Sequence, residues 1–212
     1  MERVVLFAKT PRRGAVKTRL VPPLTEEQAL ALHEAMLSDQ IDFVRSLGRS
    51  AELCLDEPWP DAPGGLETTL QGDGDLGRRM LRALARGPGP TAILGADAPT
   101  LPRSLVEEAF LRLRDGAEVA ITPAQDGGYV LIATTTPLPE LFREIPWGSE
   151  RVLAVTRERA RASGIALAET DGWYDVDRID DLPRLPSETE RAPRTARLVA
   201  ALRLYLPERP VL

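Results

Sequence analysis

Three clusters of residues in this chain have the types and spacing needed to act on a phosphorylated ligand. In AKTPRRGAVKTRL (8–20), Lys9, Arg12, Arg13, Lys17 and Arg19 put five cations within eleven residues. Gly14 allows the backbone to approach a ligand closely, and a triphosphate or a departing pyrophosphate is the partner whose charge such a loop would neutralise. It is not a Walker A loop, because Val16 stands where that motif needs glycine before Lys-Thr. The chain has two lysines against 25 arginines, and both, Lys9 and Lys17, fall in this loop. A compact ammonium binds phosphate as a point charge, whereas arginine prefers a planar fork. In GADAPTLP (95–102), Asp97 ends an apolar run and could hold Mg²⁺; a turn or helix-cap aspartate is the ordinary alternative. In WYDVDRIDDL (173–182), Asp175 and Asp177 share one side if the segment is extended, so either could complete a metal site. A carboxylate cluster favoured by a helix start reads the same way.

Two further stretches invite a reading. QGDGDLG (71–77) is a formal G-x-G-x-x-G at Gly72, Gly74 and Gly77, with Asp97 twenty residues beyond Gly77. Asp73 and Asp75, however, would set carboxylates where a pyrophosphate must meet bare N–H groups, which argues against a dinucleotide cofactor. PAQDGGYVLIA (123–133) carries Asp126, Gly127 and Gly128, which by themselves signal a hairpin turn.

These residues need a frame, and the hydrophobic pattern supplies one. RVVLFA (3–8), AELCL (51–55), LETTLQ (66–71), TAILGA (91–96), AEVAIT (117–122), YVLIA (129–133) and IALAE (165–169) read as strands. Helices are expected from the capping box Thr25–Gln28 to about Leu47, after GDL up to Gly87, and over about 103–115, 149–163 and 193–206. Such alternation predicts a three-layer α/β/α sandwich with a mostly parallel sheet, in one domain, 1–212. Ligands of open α/β sheets sit beyond the carboxyl ends of the strands, where the chemical clusters fall.

Composition narrows the classes. The 212 residues are 43% apolar and 28% charged, with a net charge of −5. An acidic chain without a basic tract is not expected to bind nucleic acid or an anionic membrane. Its apolar runs fall short of the ~20 residues of a membrane span, and the N-terminal run is too short for a secretory signal, so a cytoplasmic location is expected. One Cys and one His exclude an intrachain disulfide and a zinc cluster. Cys54 reads as a small buried hydrophobe, without a cation in sequence reach, and His33, on the apolar stripe between Leu30 and Leu37, as a partly buried structural histidine.

Taken in order between residues 7 and 182, the segments FAKTPRRGAVKTRL, LQGDGDLGRRM, LGADAPTLP, PAQDGGYVLI, PWGSERVL and WYDVDRIDDL resemble a family of bacterial proteins labelled glycosyltransferases, some of them of arsenosugar biosynthesis. That family belongs to the nucleotide-diphospho-sugar transferase (GT-A) superfamily. More distantly, the lysine-arginine loop and the DVD segment are similar to those of 2-phospho-lactate and molybdenum-cofactor guanylyltransferases and CMP-sugar synthetases. The resemblance implies a GT-A-like fold, a nucleotide-sugar or nucleoside triphosphate donor, a small-molecule acceptor, and Mg²⁺ (or Mn²⁺). It implies that Lys17 and Arg19 contact the donor phosphates, with Ala8, Lys9 and Gly14 of the same loop, and that Gln71, Gly72 and Gly77 serve the donor near its base. Asp97 would be the first metal ligand and Asp177 the second, with Asp175 as the alternative because Arg178 replaces the threonine frequent in the relatives. Asp126, Gly127, Gly128, Trp147 and Gly148 would line the acceptor side, and Lys17, Arg19, Asp97 and Asp126 would be catalytic. Glycosyl transfer from a nucleotide-sugar is the leading expectation. The alternatives are nucleotidyl transfer to a phosphorylated acceptor with release of pyrophosphate, and a catalytically silent nucleotide-binding protein.

Overall fold

The computed structural model describes residues 1–202. Its strands are β1 (Arg3–Ala8), β2 (Ser50–Leu55), β3 (Glu67–Leu70), β4 (Thr91–Gly95), β5 (Val119–Pro123), β6 (Tyr129–Thr134) and β7 (Leu167–Glu169). Its α-helices are α1 (Glu26–Ser46), α2 (Leu76–Leu84), α3 (Arg103–Arg114), α4 (Val152–Ala162) and α5 (Pro193–Leu202). The seven strands form one sheet in the order β3-β2-β1-β4-β6-β5-β7. β3, β2, β1 and β4 run parallel to one another, with Leu6 in register with both Leu53 and Leu94, while β6 runs antiparallel to β4 and β5.

Period two along β1 explains the layers. Val4, Leu6 and Ala8 face one side, where they pack with Leu37 and Ile41 of α1 and Val106 and Phe110 of α3. Val5 faces the other side, among Met80 and Leu84 of α2 and Leu153 and Ala160 of α4. Burial on both faces is why the central strands are continuously apolar. A third cluster joins Leu32 and Met36 of α1 to Tyr174, Val176, Leu185 and Val199, so the segment from 173 onward straps across the outside of α1.

Local signals set the helix ends. Thr25 Oγ1 accepts from the Gln28 N–H while Gln28 Oε1 accepts from the Thr25 N–H, which is the expected capping box. α5 is capped from a distance: buried Asp39 of α1 accepts from the Thr195 N–H at 2.9 Å, the Thr195 hydroxyl at 2.8 Å and the Arg194 N–H at 3.2 Å. The expected extension of this helix to 206 lies outside the described residues. α4 begins at Val152, three residues later than its apolar pattern suggests, because Ser149 closes a turn on the Pro146 carbonyl. β7 starts at Leu167 because the Ile165 N–H is spent on the Ala160 carbonyl at the end of α4. No helix among the described residues is long and apolar enough to cross a membrane.

Candidate active site

At the carboxyl edge of the sheet lies a cleft of about 630 Å³. Three backbone devices gather its charged groups. Lys17 adopts a left-handed conformation (φ 48°, ψ 34°) and opens a 3₁₀ turn at Thr18–Leu20, flanked by buried Val16 and Leu20. β5 and β6 form the expected hairpin, whose turn presents Asp126, with Asp126 Oδ1 accepting from the Gly128 N–H at 2.9 Å. The 173–177 segment hydrogen-bonds alongside both β5 and the Asp97 turn: the Trp173 N–H donates to the Pro123 carbonyl, and the Val176 N–H to the Asp97 carbonyl at 2.8 Å. Tyr174 and Val176 point into the third core cluster, so the alternating Asp175 and Asp177 face the cleft.

Lys17 stands at the centre. Its side chain is 4% exposed, and its ammonium donates to Asp97 Oδ1, to the Val176 carbonyl at 2.6 Å and to Asp177 Oδ1 at 3.4 Å. Burial works against this ammonium, but the Asp97 and Asp177 carboxylates outweigh it and hold its pKa above the usual lysine value. Depth in the cleft would raise the Asp97 carboxyl; Lys17 reverses this and holds it below the ordinary value. Arg19 reaches Asp177 Oδ2 at 3.2 Å.

Asp126, Asp175 and Asp177 each bring a carboxylate oxygen to within 4.8 Å of the other two. Burial, followed by the charges of Asp126 and Asp177, pushes the Asp175 carboxyl up to about 6. A set of hard oxygen donors carrying excess negative charge fits Mg²⁺ or Mn²⁺. Asp97 is not one of these three; its carboxylate is taken up by Lys17.

Ala8, Lys9, Lys17, Arg19, Gln71, Asp97, Asp126, Gly128, Trp147, Gly148, Asp175 and Asp177 all line the cleft. Gly14, Gly72, Gly77 and Gly127 do not, and each has a local reason for being glycine. Gly14 and Gly72 take positive φ in turns. A Cβ on Gly77 would lie 2.8 Å from Trp147 Cζ2, and one on Gly127 would lie 2.0 Å from the Glu150 carbonyl oxygen. Asp75 caps α2 by accepting from the Arg78 N–H, so the G-x-G-x-x-G pattern closes on itself. Gln71 is buried, its amide donating to the carbonyls of Ala8 and Cys54. Arg12 pairs with Glu57 and Arg13 with Glu26 and Glu27, which leaves three of the five loop cations on the cleft.

His33 is buried as expected, yet it forms part of the cleft floor. Its Nε2 lies 2.9 Å from the Lys9 carbonyl, and burial pushes its pKa below the ordinary value. Cys54 is fully buried, but Arg86, distant in sequence, brings a cation within 3.3 Å of its sulfur. Sequence reasoning missed Asp56, which accepts from the Thr10 N–H at the base of the loop, and Tyr129, which stands edge-on to Trp147 at 6.5 Å. It also missed Arg79. Leu76, Arg79 and Met80 share a helix face at i, i+3 and i+4, and a cation interrupting that apolar face was the available signal.

Residues 38–149 match the family model described as "Uncharacterized protein conserved in bacteria (DUF2064)". A crystal structure described as that of a nucleotide-diphospho-sugar transferase from Desulfovibrio desulfuricans G20 is similar with a TM-score of 0.86 and 27% identity, covering 96% of each chain. The 2-phospho-L-lactate guanylyltransferase of Haloarcula marismortui is 29% identical over 170 residues, 78% of this chain and 77% of that protein. The 3-phospho-D-glycerate guanylyltransferase of Phenylobacterium zucineum is 28% identical over 211 residues, 88% and 91% of the two chains.

Proposed function

The chain belongs to the bacterial DUF2064 family and is a transferase, and we propose that it moves a nucleoside monophosphate from a nucleoside triphosphate to a small phosphorylated acceptor. The observation that carries this reading is the meeting in one cleft of a buried lysine, Lys17, with the carboxylates of Asp97 and Asp177. An acceptor phosphate oxygen attacks the α-phosphorus, the bond from that phosphorus to its β-bridging oxygen breaks, and pyrophosphate leaves with the electron pair. A phosphate oxygen is already ionised near neutral pH, so no general base is needed, in keeping with Asp126 standing inside the carboxylate group. Lys17, Lys9 and Arg19 balance the charge that grows on the departing pyrophosphate, an electrostatic contribution of a few kcal/mol per well-placed group. Asp126, Asp175 and Asp177 would hold the Mg²⁺ or Mn²⁺, with Asp97 beside them setting the position of Lys17. When bound, the ion would supply charge neutralisation at the donor phosphates. The two guanylyltransferase relatives, which act on phosphorylated hydroxy acids by name, support the same reaction class.

One observation favours glycosyl transfer as a second reading: the similar structure at TM-score 0.86 is described as a nucleotide-diphospho-sugar transferase. There the acceptor is a hydroxyl, and Asp126 would take its proton. The deciding experiment incubates the protein with each nucleoside triphosphate, Mg²⁺, and either 3-phospho-D-glycerate or 2-phospho-L-lactate, and follows pyrophosphate release. Release that needs both the acceptor and Mg²⁺, and that Asp97→Ala abolishes, supports nucleotidyl transfer. No release under any combination, with a nucleotide-sugar raising Tm above its parent diphosphate, replaces it by glycosyl transfer.

A further inference from the structure

The cations of the cleft arrive from two layers of the fold. Lys9, Lys17 and Arg19 come from the loop after β1, which runs into α1 on one face of the sheet. Arg79 comes from α2 on the opposite face, in the layer that also holds α4 and Trp147. Its helix turn is fixed against that wall, since Gly77 packs on Trp147. The Arg79 Nε–H donates to the Gly74 carbonyl at 2.8 Å, in a turn that Arg82 also holds through the carbonyls of Gln71 and Asp73. The guanidinium is therefore aimed by its Nε, while its two terminal amino groups meet no partner among the described residues. The loop arginines Arg12 and Arg13 have carboxylate partners and lie off the cleft, so Arg79 differs from them in both respects. A half-buried arginine with a free guanidinium fork suits a planar or tetrahedral oxyanion, which it can bind through two parallel hydrogen bonds.

We propose that Arg79 is a specificity-determining residue that binds the phosphoryl group of the acceptor, on the wall formed by α2, Trp147 and Gly148. The assignment to the acceptor rests on the reading of this cleft as a nucleotidyltransferase site. Two cation sets on opposite walls let two phosphorylated substrates bind at once with the carboxylates between them. The donor's own phosphates are the other source of the same chemistry, and the test separates the two.

Calorimetric titrations would measure binding of orthophosphate, 3-phospho-D-glycerate and tripolyphosphate to wild type, Arg79→Gln, Arg79→Lys and, as a surface control, Arg78→Gln. Thermal melts would report whether each variant is folded. The expected result is a loss of about tenfold or more in affinity for orthophosphate and 3-phospho-D-glycerate in Arg79→Gln. Arg79→Lys should give a smaller loss, Arg78→Gln none, and tripolyphosphate binding should be unchanged throughout. An equal loss for tripolyphosphate would move Arg79 to the donor and overturn the acceptor assignment. Unchanged binding in Arg79→Gln, or no binding of either monophosphate probe by wild type, would overturn the proposal outright. These readouts need no turnover, so Arg79-dependent binding without pyrophosphate release would tell against the transfer reaction and not against the anion subsite.

Discussion

Replacing Asp175 with asparagine should make the metal-free protein more stable and the enzyme inactive. Burial and the neighbouring Asp126 and Asp177 push the Asp175 carboxyl up to about 6. A carboxyl raised by folding penalises the folded state wherever pH lies above the carboxyl's value in the unfolded chain. The penalty is absent below the ordinary carboxyl range, grows as pH rises from that range to about 6, and is constant above it. At about 1.4 kcal/mol per tenfold change in ionisation, the displacement corresponds to a ceiling of about 3 kcal/mol. Solvent at the mouth of the cleft screens part of it, which leaves roughly 1 to 2 kcal/mol, or about 2 to 8 °C in Tm for a chain of this length. The assay is a set of melts in chelator at pH 4, 6 and 8, repeated with Mg²⁺ and with Mn²⁺ at pH 8. Asp175→Asn should melt above wild type at pH 8, the difference should vanish near pH 4, and the divalent ions should close the gap by stabilising wild type alone. A gain that does not depend on pH, or a variant less stable than wild type at pH 8, would refute the argument from crowded carboxylates.

Three further outcomes follow from named contacts. Lys17→Met should remain folded and lower kcat by about 10²- to 10³-fold, measured as pyrophosphate release; its pair with Asp97 stabilises wild type across the range between the carboxyl and lysine titrations, and is lost as pH falls through the Asp97 pKa or rises through the Lys17 pKa. Gly127→Ala should cost about 3 kcal/mol in urea unfolding, because φ is 88° and the new Cβ would collide with the Glu150 carbonyl at 2.0 Å. Asp39→Ala should cost about 2 to 3 kcal/mol, seen as a lower Tm, because it strips the acceptor from the buried Thr195 N–H and hydroxyl and loosens α5 from α1.

Elements with a strong local signature were legible in the sequence. RVVLFA could only be a strand buried on both faces, and Thr25 to Gln28 spelled out a helix start that the structure builds as written. The hairpin at Asp126 was equally plain, but its neighbours were not. Nothing in spacing says that residues 173–177 run beside β5, so the closeness of Asp126 to Asp175 and Asp177 depends on a pairing made across about fifty residues. The basic loop shows the same limit. Sequence counted five cations, but the turns at Gly14 and Lys17 direct Arg12 and Arg13 toward glutamates of other elements. Ordinary periodicity assigned His33 to the core correctly and could not show that this stretch of core is the floor of the cleft.

The reversed direction of β6 reaches beyond the sheet itself. A strand inserted backwards between β4 and β5 begins where they end, so the turn before it is delivered to the edge where the parallel strands release their loops. Asp126 thereby has a fixed address set by backbone pairing rather than by the length of any connection. The chain from 135 to 150 has no strand pairing to place it: it leaves the far end of β6 and returns to the cleft with Trp147 and Gly148, held by the buried side chains of Leu141, Phe142 and Ile145. One wall of the cleft is thus set by side-chain packing, whereas the carboxylate of the hairpin turn is set by backbone pairing.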